Sequence, residues 1–565
     1  MTKAVAEPKP AGKEEPQEDA IKETFESIVI AFILAFVFRA YVVEAFVIPT
    51  GSMAPTLLGQ HLRVTCNQCG YHYKVDTPNG TWSVTSHHIE LHCPMCQAVN
   101  DIKSGTYISS GDRILVHKYL YSIEEPQRFD VVVFKSPEQP QTNYIKRLIG
   151  LPGQDLVILE GNCYYNPKPG DEKSWRIARK TDTNENRHAI SIQNAVWQPV
   201  YSSQFVPLDF ADAQSAAREK EIPWRVPWVV WPGDGADQWR TTKSVGDVTE
   251  LDPRSGYYYE GTGSGVIRFD FDRVMGEPGV GAFVYSQRSV AIRHLRLEDL
   301  RLAADLEPLG QGLSITLTTT ARMDDPSGLM HSLAAKIDAQ GNVTLTRGDQ
   351  PQPLAKAKVQ PLAANVPRHV ELWYVDQEAS VWVDGDRVIV QRFDLDMAAL
   401  RSRSNPSTQW AADAPLALPA EQRSEVRAPR VAIEVSGSQV RLHRLELDRD
   451  LIWISTGRAS ISKEDSGSWS GGPKSLDVNQ FFCVGDNSPS SYDSRLWGSK
   501  PDTRLDPWVL KRAFTQELPR HEADGLVPRR LMMGRAFFVY FPSMLGLSPD
   551  RTPMFPNFGE MRFIH

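Results

Sequence analysis

The run FVIPTGSMAPTL, from Phe46 to Leu57, sets one hydroxyl, Ser52, between a glycine and a methionine, and it contains no histidine. A serine hydroxyl is a weak nucleophile until a neighbouring base takes its proton. Ser52 lacks the G-x-S-x-G pattern of a nucleophile elbow, which disfavours an α/β-hydrolase. Of the 13 histidines, none sits in a signature that pairs it with this serine. A lysine can serve instead when apolar surroundings penalise its ammonium form and lower its pKa. NYIKRLIGLPG, residues 143–153, offers one. Read as a strand, its period of two puts Tyr144, Lys146 and Leu148 on one face, and Arg147 on the other, where it can point to water. The alternative is an ordinary strand lysine whose ammonium snorkels to solvent.

A second constellation is sulfur. CNQC and CPMC make two C-x2-C knuckles, so Cys66, Cys69, Cys93 and Cys96 can supply four thiolates to a tetrahedral Zn2+. Such a metal is structural, replacing a core that so short a segment cannot build. Two disulfides are the alternative in an oxidising compartment. His72, His87, His88 and His92 lie in the same unit and read as spectators beside four cysteines. Cys163 and Cys483 stand alone, so the chain is not built on a disulfide framework.

The elements that must position these groups follow from the rest of the chain. At 565 residues several domains are expected, and 40 prolines with 38 glycines favour a mainly β, loop-rich body. A net charge of −7 with no long basic run argues against nucleic acid as a partner. Residues 1–24 are polar and read as a disordered, cytoplasmic tail. FESIVIAFILAFVFRAYVVE follows, and residues 25–44 are expected to form a single transmembrane anchor, with a buried core helix as the alternative. Lysines lie on its N-terminal side, so the bulk of the chain is expected outside the cytoplasm. The cysteine ribbon is expected over 66–104, and residues 105–165 read as short strands after it. Residues 166–285 are rich in Trp and Pro, and no fold is assigned to them. From 286 to 453, runs such as LSITLTTT, HVELWYV and ASVWVDGDRVIV alternate with turns, which predicts a β-sandwich of jelly-roll or laminin-G type. Residues 454–475 read as a linker, and 476–565 return to short strands.

Five motifs occur in order: IPTGSMAPTL, GDRILVHK, RFDVVVF, YIKRLIGLPG and GDNSPSSYDSRLWG. Together they resemble bacterial type I signal peptidase over 25–65, 105–165 and 476–565. The resemblance implies a membrane-bound serine endopeptidase of the bacterial inner membrane, acting on its outer face. It would remove signal peptides from exported preproteins after small residues in an A-x-A-like pattern, with no cofactor for catalysis. It makes Ser52 the nucleophile and Lys146 the general base, with Thr50 joining the Ser52 N–H in the oxyanion hole. Ser491 would orient the lysine by a hydrogen bond. Asp493 and Arg495 would brace the last motif as an ion pair, and Gly485, Asp486 and Asn487 would open its turn. The ribbon and the long insertion before GDN depart from compact members of that family.

Two rivals come from other classes. One is a membrane-tethered protein whose sandwich binds glycan or another envelope polymer beside an inactive peptidase core. The other is a Ser/Lys protease of the repressor-cleaving kind, against which the anchor and the GDN motif argue.

Overall fold

Strands supply most of the regular structure of the described residues, because each buries at least one face against another element. The computed structural model describes residues 17–77, 89–159, 161–208, 225–273, 298–394, 430–453, 474–497, 525–542 and 557–565, apart from short gaps within these ranges.

The N-terminal element is a helix, α1 (Gln17–Tyr41). Helix therefore replaces the end of the expected disordered tail from residue 17, and it stops before residue 44 because the chain turns extended at Val43. Phe25, Phe32 and Phe36 on α1 are more than 60% exposed, and Ile28, Val29, Ile33 and Leu34 are exposed as well. No helix of the described residues is long and apolar enough to cross a membrane.

Next come β1 (Val43–Val47), β2 (His61–Thr65), β3 (His72–Asp76), β4 (Ile89–His92) and β5 (Val99–Ile102). They are followed by β6 (Arg113–His117), β7 (Val131–Lys135), β8 (Asn143–Gly150), β9 (Asp155–Leu159), β10 (Asn162–Asn166) and β11 (Arg176–Ile177). The hairpins β2–β3 and β4–β5 form the ribbon and share a small core around Leu62, Tyr73 and Leu91. His87 and His88 lie outside the described residues.

A helix α2 (Ala189–Val196) leads into the sandwich. Its strands are β12 (Gln198–Ser202), β13 (Trp228–Val230), β14 (Thr241–Val245), β15 (Val248–Leu251), β16 (Tyr257–Tyr259) and β17 (Gly265–Phe269). After a stretch outside the described residues come β18 (Leu300–Pro308), β19 (Ser314–Ala321), β20 (His331–Ile337), β21 (Asn342–Arg347) and β22 (Ala355–Lys358). Then follow β23 (Arg368–Val375), β24 (Glu378–Val383), β25 (Asp386–Arg392), β26 (Val431–Ser436) and β27 (Val440–Arg449). A seven-stranded and a nine-stranded sheet face each other over one apolar core. Asp384 and Gly385 both have positive φ at the β24–β25 turn, as an Asp-Gly hairpin requires.

The sandwich begins near residue 198 rather than at 286. β12 and β16 pair with β27, and β17 pairs with β26, so strands from the unassigned region belong to both sheets. These strands are only three to five residues long and their partners lie far along the chain, which hides the alternation from a local reading. The expected linker 454–475 lies almost wholly outside the described residues.

The last strands are β28 (Lys474–Ser475), β29 (Gln480–Val484), β30 (Val527–Pro528), β31 (Met532–Phe541) and β32 (Arg562–Phe563). They return to the N-terminal part. One sheet has the order β1-β6-β31-β7-β8-β29-β30, with β32 beside β31, so strands from both ends of the chain share one ladder. β9, β10, β11 and β28 form a separate four-stranded sheet rather than continuing that ladder.

Candidate active site

Ser52 sits in a single 3-10 turn, Gly51–Met53, directly after β1. Met53 and Leu57 anchor the turn in an apolar core with Ile114, Val131 and Val539. Asn487 grips it from the other end of the sequence: its backbone N–H donates to the Ser52 carbonyl (3.1 Å) and its Nδ2 to the Gly51 carbonyl (3.0 Å). Close approach demands glycine at 485, where a Cβ would lie 2.1 Å from Ser491 Oγ and 2.4 Å from the Ser52 carbonyl oxygen.

Lys146 lies on β8 with its side chain 4% exposed. Its Nζ is 2.7 Å from Ser52 Oγ. Tyr144 and Leu148 share its face, and they pack with Cys483, Phe134 and Trp497 in one apolar cluster. The Tyr144 ring centroid is 5.5 Å from Nζ. Burial penalises the ammonium and Asp493 partly opposes that, leaving the Lys146 pKa lowered to about 8.

The GDN motif closes the site because β29 pairs with β8. Arg495 chelates Asp493 through Nε (2.8 Å) and Nη2 (2.6 Å), and both residues are buried. Asp493 also accepts the Gly485 N–H at 2.9 Å. Burial alone would raise the Asp493 pKa, but the Arg495 guanidinium holds it below the usual carboxylate value. Ser491 is fully buried beside this carboxylate and is among the groups that hold it low. Among the described contacts Ser491 Oγ makes no hydrogen bond to Lys146, the contact that the resemblance implies. Thr50 is exposed at the turn's N-terminus, with extended backbone and no capping hydrogen bond from its side chain.

Arg147 does not point to water. It is wholly buried and chelates Asp486 through Nε (2.8 Å) and Nη2 (2.7 Å). The period-two argument placed it on the correct face, but β8 is a central strand with both faces covered, so that face is also interior. Thr56 Oγ1 donates to the same carboxylate (2.5 Å), tying the strand of Lys146 to the segment after Ser52. Arg562 adds a second tie, from Nη2 to the Thr56 carbonyl (2.8 Å) and to Asp112 Oδ2 (3.0 Å). The sequence reading gave Arg147 to solvent and assigned no role to Thr56 or Arg562. For the two arginines the one signal is a charge whose burial the local sequence does not reveal, and for Thr56 the local sequence carries none.

The chain matches the family model described as signal peptidase, peptidase S26, over residues 21–87 and 99–209. The resemblance is to signal peptidase. Curated relatives agree: signal peptidase I of Rickettsia bellii is 28% identical over 27% of this chain and 42% of the relative. Signal peptidase I of Rickettsia typhi is 30% identical over 26% of this chain and 44% of that one. A probable signal peptidase I-2 of Synechocystis is 27% identical over 30% and 58%. The chain thus spans less than half the length of the two Rickettsia signal peptidases. The signal-peptidase match contains Ser52 and Lys146 and ends before the GDN motif, which tertiary structure brings beside them. Among solved structures, the carbohydrate binding module CBM66 from Bacillus subtilis is 12% identical over 40% of this chain and 99% of that one, with a TM-score of 0.22. The VIP36 exoplasmic/lumenal domain is 11% identical over 40% and 89%, with a TM-score of 0.22. At these scores the likeness carries no weight, and the sandwich rests on its own strand order.

Next to the nucleophile segment, the four ribbon cysteines converge. Cys66, Cys69, Cys93 and Cys96 present sulfurs within 4.8 Å of one another. Cys66 and Cys96 Sγ are 3.5 Å apart, and Cys69 and Cys93 Sγ 3.6 Å. A tetrahedral Zn–S4 site asks for about 3.8 Å, and a disulfide for about 2.05 Å, so the spacing fits a metal. All six cysteines are free thiols. Gly70, with φ of 73°, turns the first knuckle, and its N–H donates to the Cys66 carbonyl at 3.0 Å. His72 turns instead to Thr65 (2.8 Å), away from the sulfurs.

Proposed function

We propose that the chain is a membrane-anchored serine endopeptidase that removes signal peptides from exported preproteins by a Ser52/Lys146 dyad. The observation that carries this reading is a buried lysine 2.7 Å from an activated-serine candidate, with its pKa lowered to about 8. Neutral Lys146 would take the Ser52 proton as Oγ attacks the scissile carbonyl. The Ser52 N–H and the Thr50 hydroxyl would stabilise the oxyanion, each such donor being worth about 3–4 kcal/mol. The Lys146 ammonium would then protonate the leaving amine, and the same lysine would activate the water that hydrolyses the acyl-enzyme. Asp493–Arg495 and Arg147–Asp486 would hold the two halves of the dyad in register, and Ser491 would become a partner for Lys146 when substrate tightens the site.

The apolar stretch of α1, exposed on all sides, would tether the chain in a bacterial inner membrane, N-terminus inward and peptidase part outside. One Zn2+ held by the four cysteines would be structural and take no part in catalysis. The test is cleavage of a model preprotein in detergent, with the cut located by mass spectrometry. A single cut after an A-x-A-like site, absent in Ser52→Ala and in Lys146→Ala, is expected. Cleavage at full rate by either variant would overturn the dyad.

A further inference from the structure

A cavity of about 450 Å³ lies behind the nucleophile turn, where the ribbon, the sandwich and the C-terminal segment meet. Ala54 and Pro55, which follow Ser52, form one wall. Asn487, which grips the Gly51 and Ser52 carbonyls, lines it as well. The facing wall is four consecutive residues, Tyr71 to Lys74. A strand face contributes only alternate residues, so three strand residues in a row, His72 to Lys74, mean that the edge of β3, with its backbone, borders the cavity. Among the described residues β3 pairs with β2 alone, which leaves the cavity-side edge without a neighbouring strand.

An open strand edge beside an apolar hollow is the arrangement that accepts an extended peptide: the backbone pairs and alternate side chains enter the hollow. The charged groups at the rim are already matched, Lys74 with Glu560 at 3.0 Å and Arg562 with Asp112 at 3.0 Å. Beside these pairs a guest meets backbone, the His72 and Gln198 side chains, and the apolar surface of Leu58, Pro199 and Met561. Such a seat tolerates many sequences, as an enzyme with many clients needs. Among the described residues, none of α1 or β1, the elements leading from the proposed anchor, lines it.

We propose that this edge and cavity seat the mature side of the substrate, the extended polypeptide just beyond the scissile bond. The inference deepens the endopeptidase reading and rests on it. It gives the ribbon and β12 a role in binding substrate.

The test uses the full-length chain. A fluorescein-labelled octapeptide matching the first eight mature residues of a model preprotein is titrated into the Ser52→Ala protein by fluorescence polarisation. Saturable binding is expected, weakened about tenfold or more by Pro199→Trp, which fills the cavity from an exposed position. In parallel, kcat/KM is compared for substrates carrying eight or two residues after the scissile bond. Pro199→Trp should lower the long substrate's value about tenfold and leave the short one unchanged. Met561→Trp, from a residue 38% exposed, repeats the test should the first variant misfold. Absence of octapeptide binding, or equal effects on both substrates, overturns the proposal. So does a concentration-dependent dimer that Pro199→Trp abolishes, which would give the edge to a second copy of the chain. If the wild type cleaves neither substrate, the endopeptidase reading fails while the octapeptide titration still reports on the seat.

Discussion

Opening the dry wall around Lys146 should move the reaction's pH dependence by a calculable amount. With a pKa of about 8, roughly 9% of Lys146 is neutral at pH 7; at its ordinary 10.5, only about 0.03% would be. Burial therefore raises the supply of free base at pH 7 about 300-fold. The log of kcat/KM should rise with pH and level off above about 8. Tyr144→Ala removes the ring 5.5 Å from Nζ and admits water. If that restores about one unit, the limb shifts upward by one unit, the rate at pH 7 falls about tenfold, and the plateau at high pH is retained.

The same shift has a stability consequence of definite sign. The folded state penalises the Lys146 ammonium, so the penalty is fully present below pH 8. It is relieved as pH rises toward the unfolded value of 10.5. A shift of that size is worth about 3 kcal/mol, and losing the contact with Ser52 costs about 1. Lys146→Met should therefore stabilise the peptidase part by about 2 kcal/mol at pH 6 and destabilise it slightly above pH 10.5. The assay is hydrogen exchange of β8 amides in urea at the two pH values. A wild-type limb near 10.5, or a Met variant less stable at pH 6, would refute the reasoning.

Gly485→Ala should abolish cleavage while far-UV circular dichroism stays unchanged, because the added methyl meets the Ser52 carbonyl, a backbone atom that cannot yield without moving the nucleophile. Asp486→Asn leaves Arg147 buried without its counter-charge and should cost about 3–5 kcal/mol, read as a lowered thermal midpoint together with lost activity. Elemental analysis should find one zinc per chain, and Cys93→Ser should remove it and expose the ribbon to protease, whereas a metal-free wild type would exclude the site. Carbonate extraction should leave the full chain in the membrane pellet and release one lacking residues 1–41; release of both would remove the anchor from the proposal.

The difference between what was legible and what was not follows from range. Ser52 and Lys146 are locally only a hydroxyl after an apolar run and a lysine between an aromatic and an aliphatic neighbour, and the resemblance of five ordered motifs is what singles them out. The two cysteine knuckles could be picked out from local text, as paired thiols at knuckle spacing. The later sandwich strands, such as β19 and β23, were legible for the same reason, since alternation over eight residues needs no partner to be seen. β13 and β16, with three residues each, carry no such signal, and only pairing with distant strands makes them part of the sandwich.

By itself, the sequence determined which groups could do chemistry and on which face of a strand each would lie, because side-chain type and the period of two are properties of the local chain. Tertiary structure alone decided what covers those faces. It packed both sides of β8, so that the face carrying Lys146 became dry enough to lower its pKa and the face carrying Arg147 became a buried ion pair rather than a solvated charge. It also set Asn487 beside Ser52, across more than four hundred residues, because hydrogen bonds between strands depend on distance in space and not along the chain.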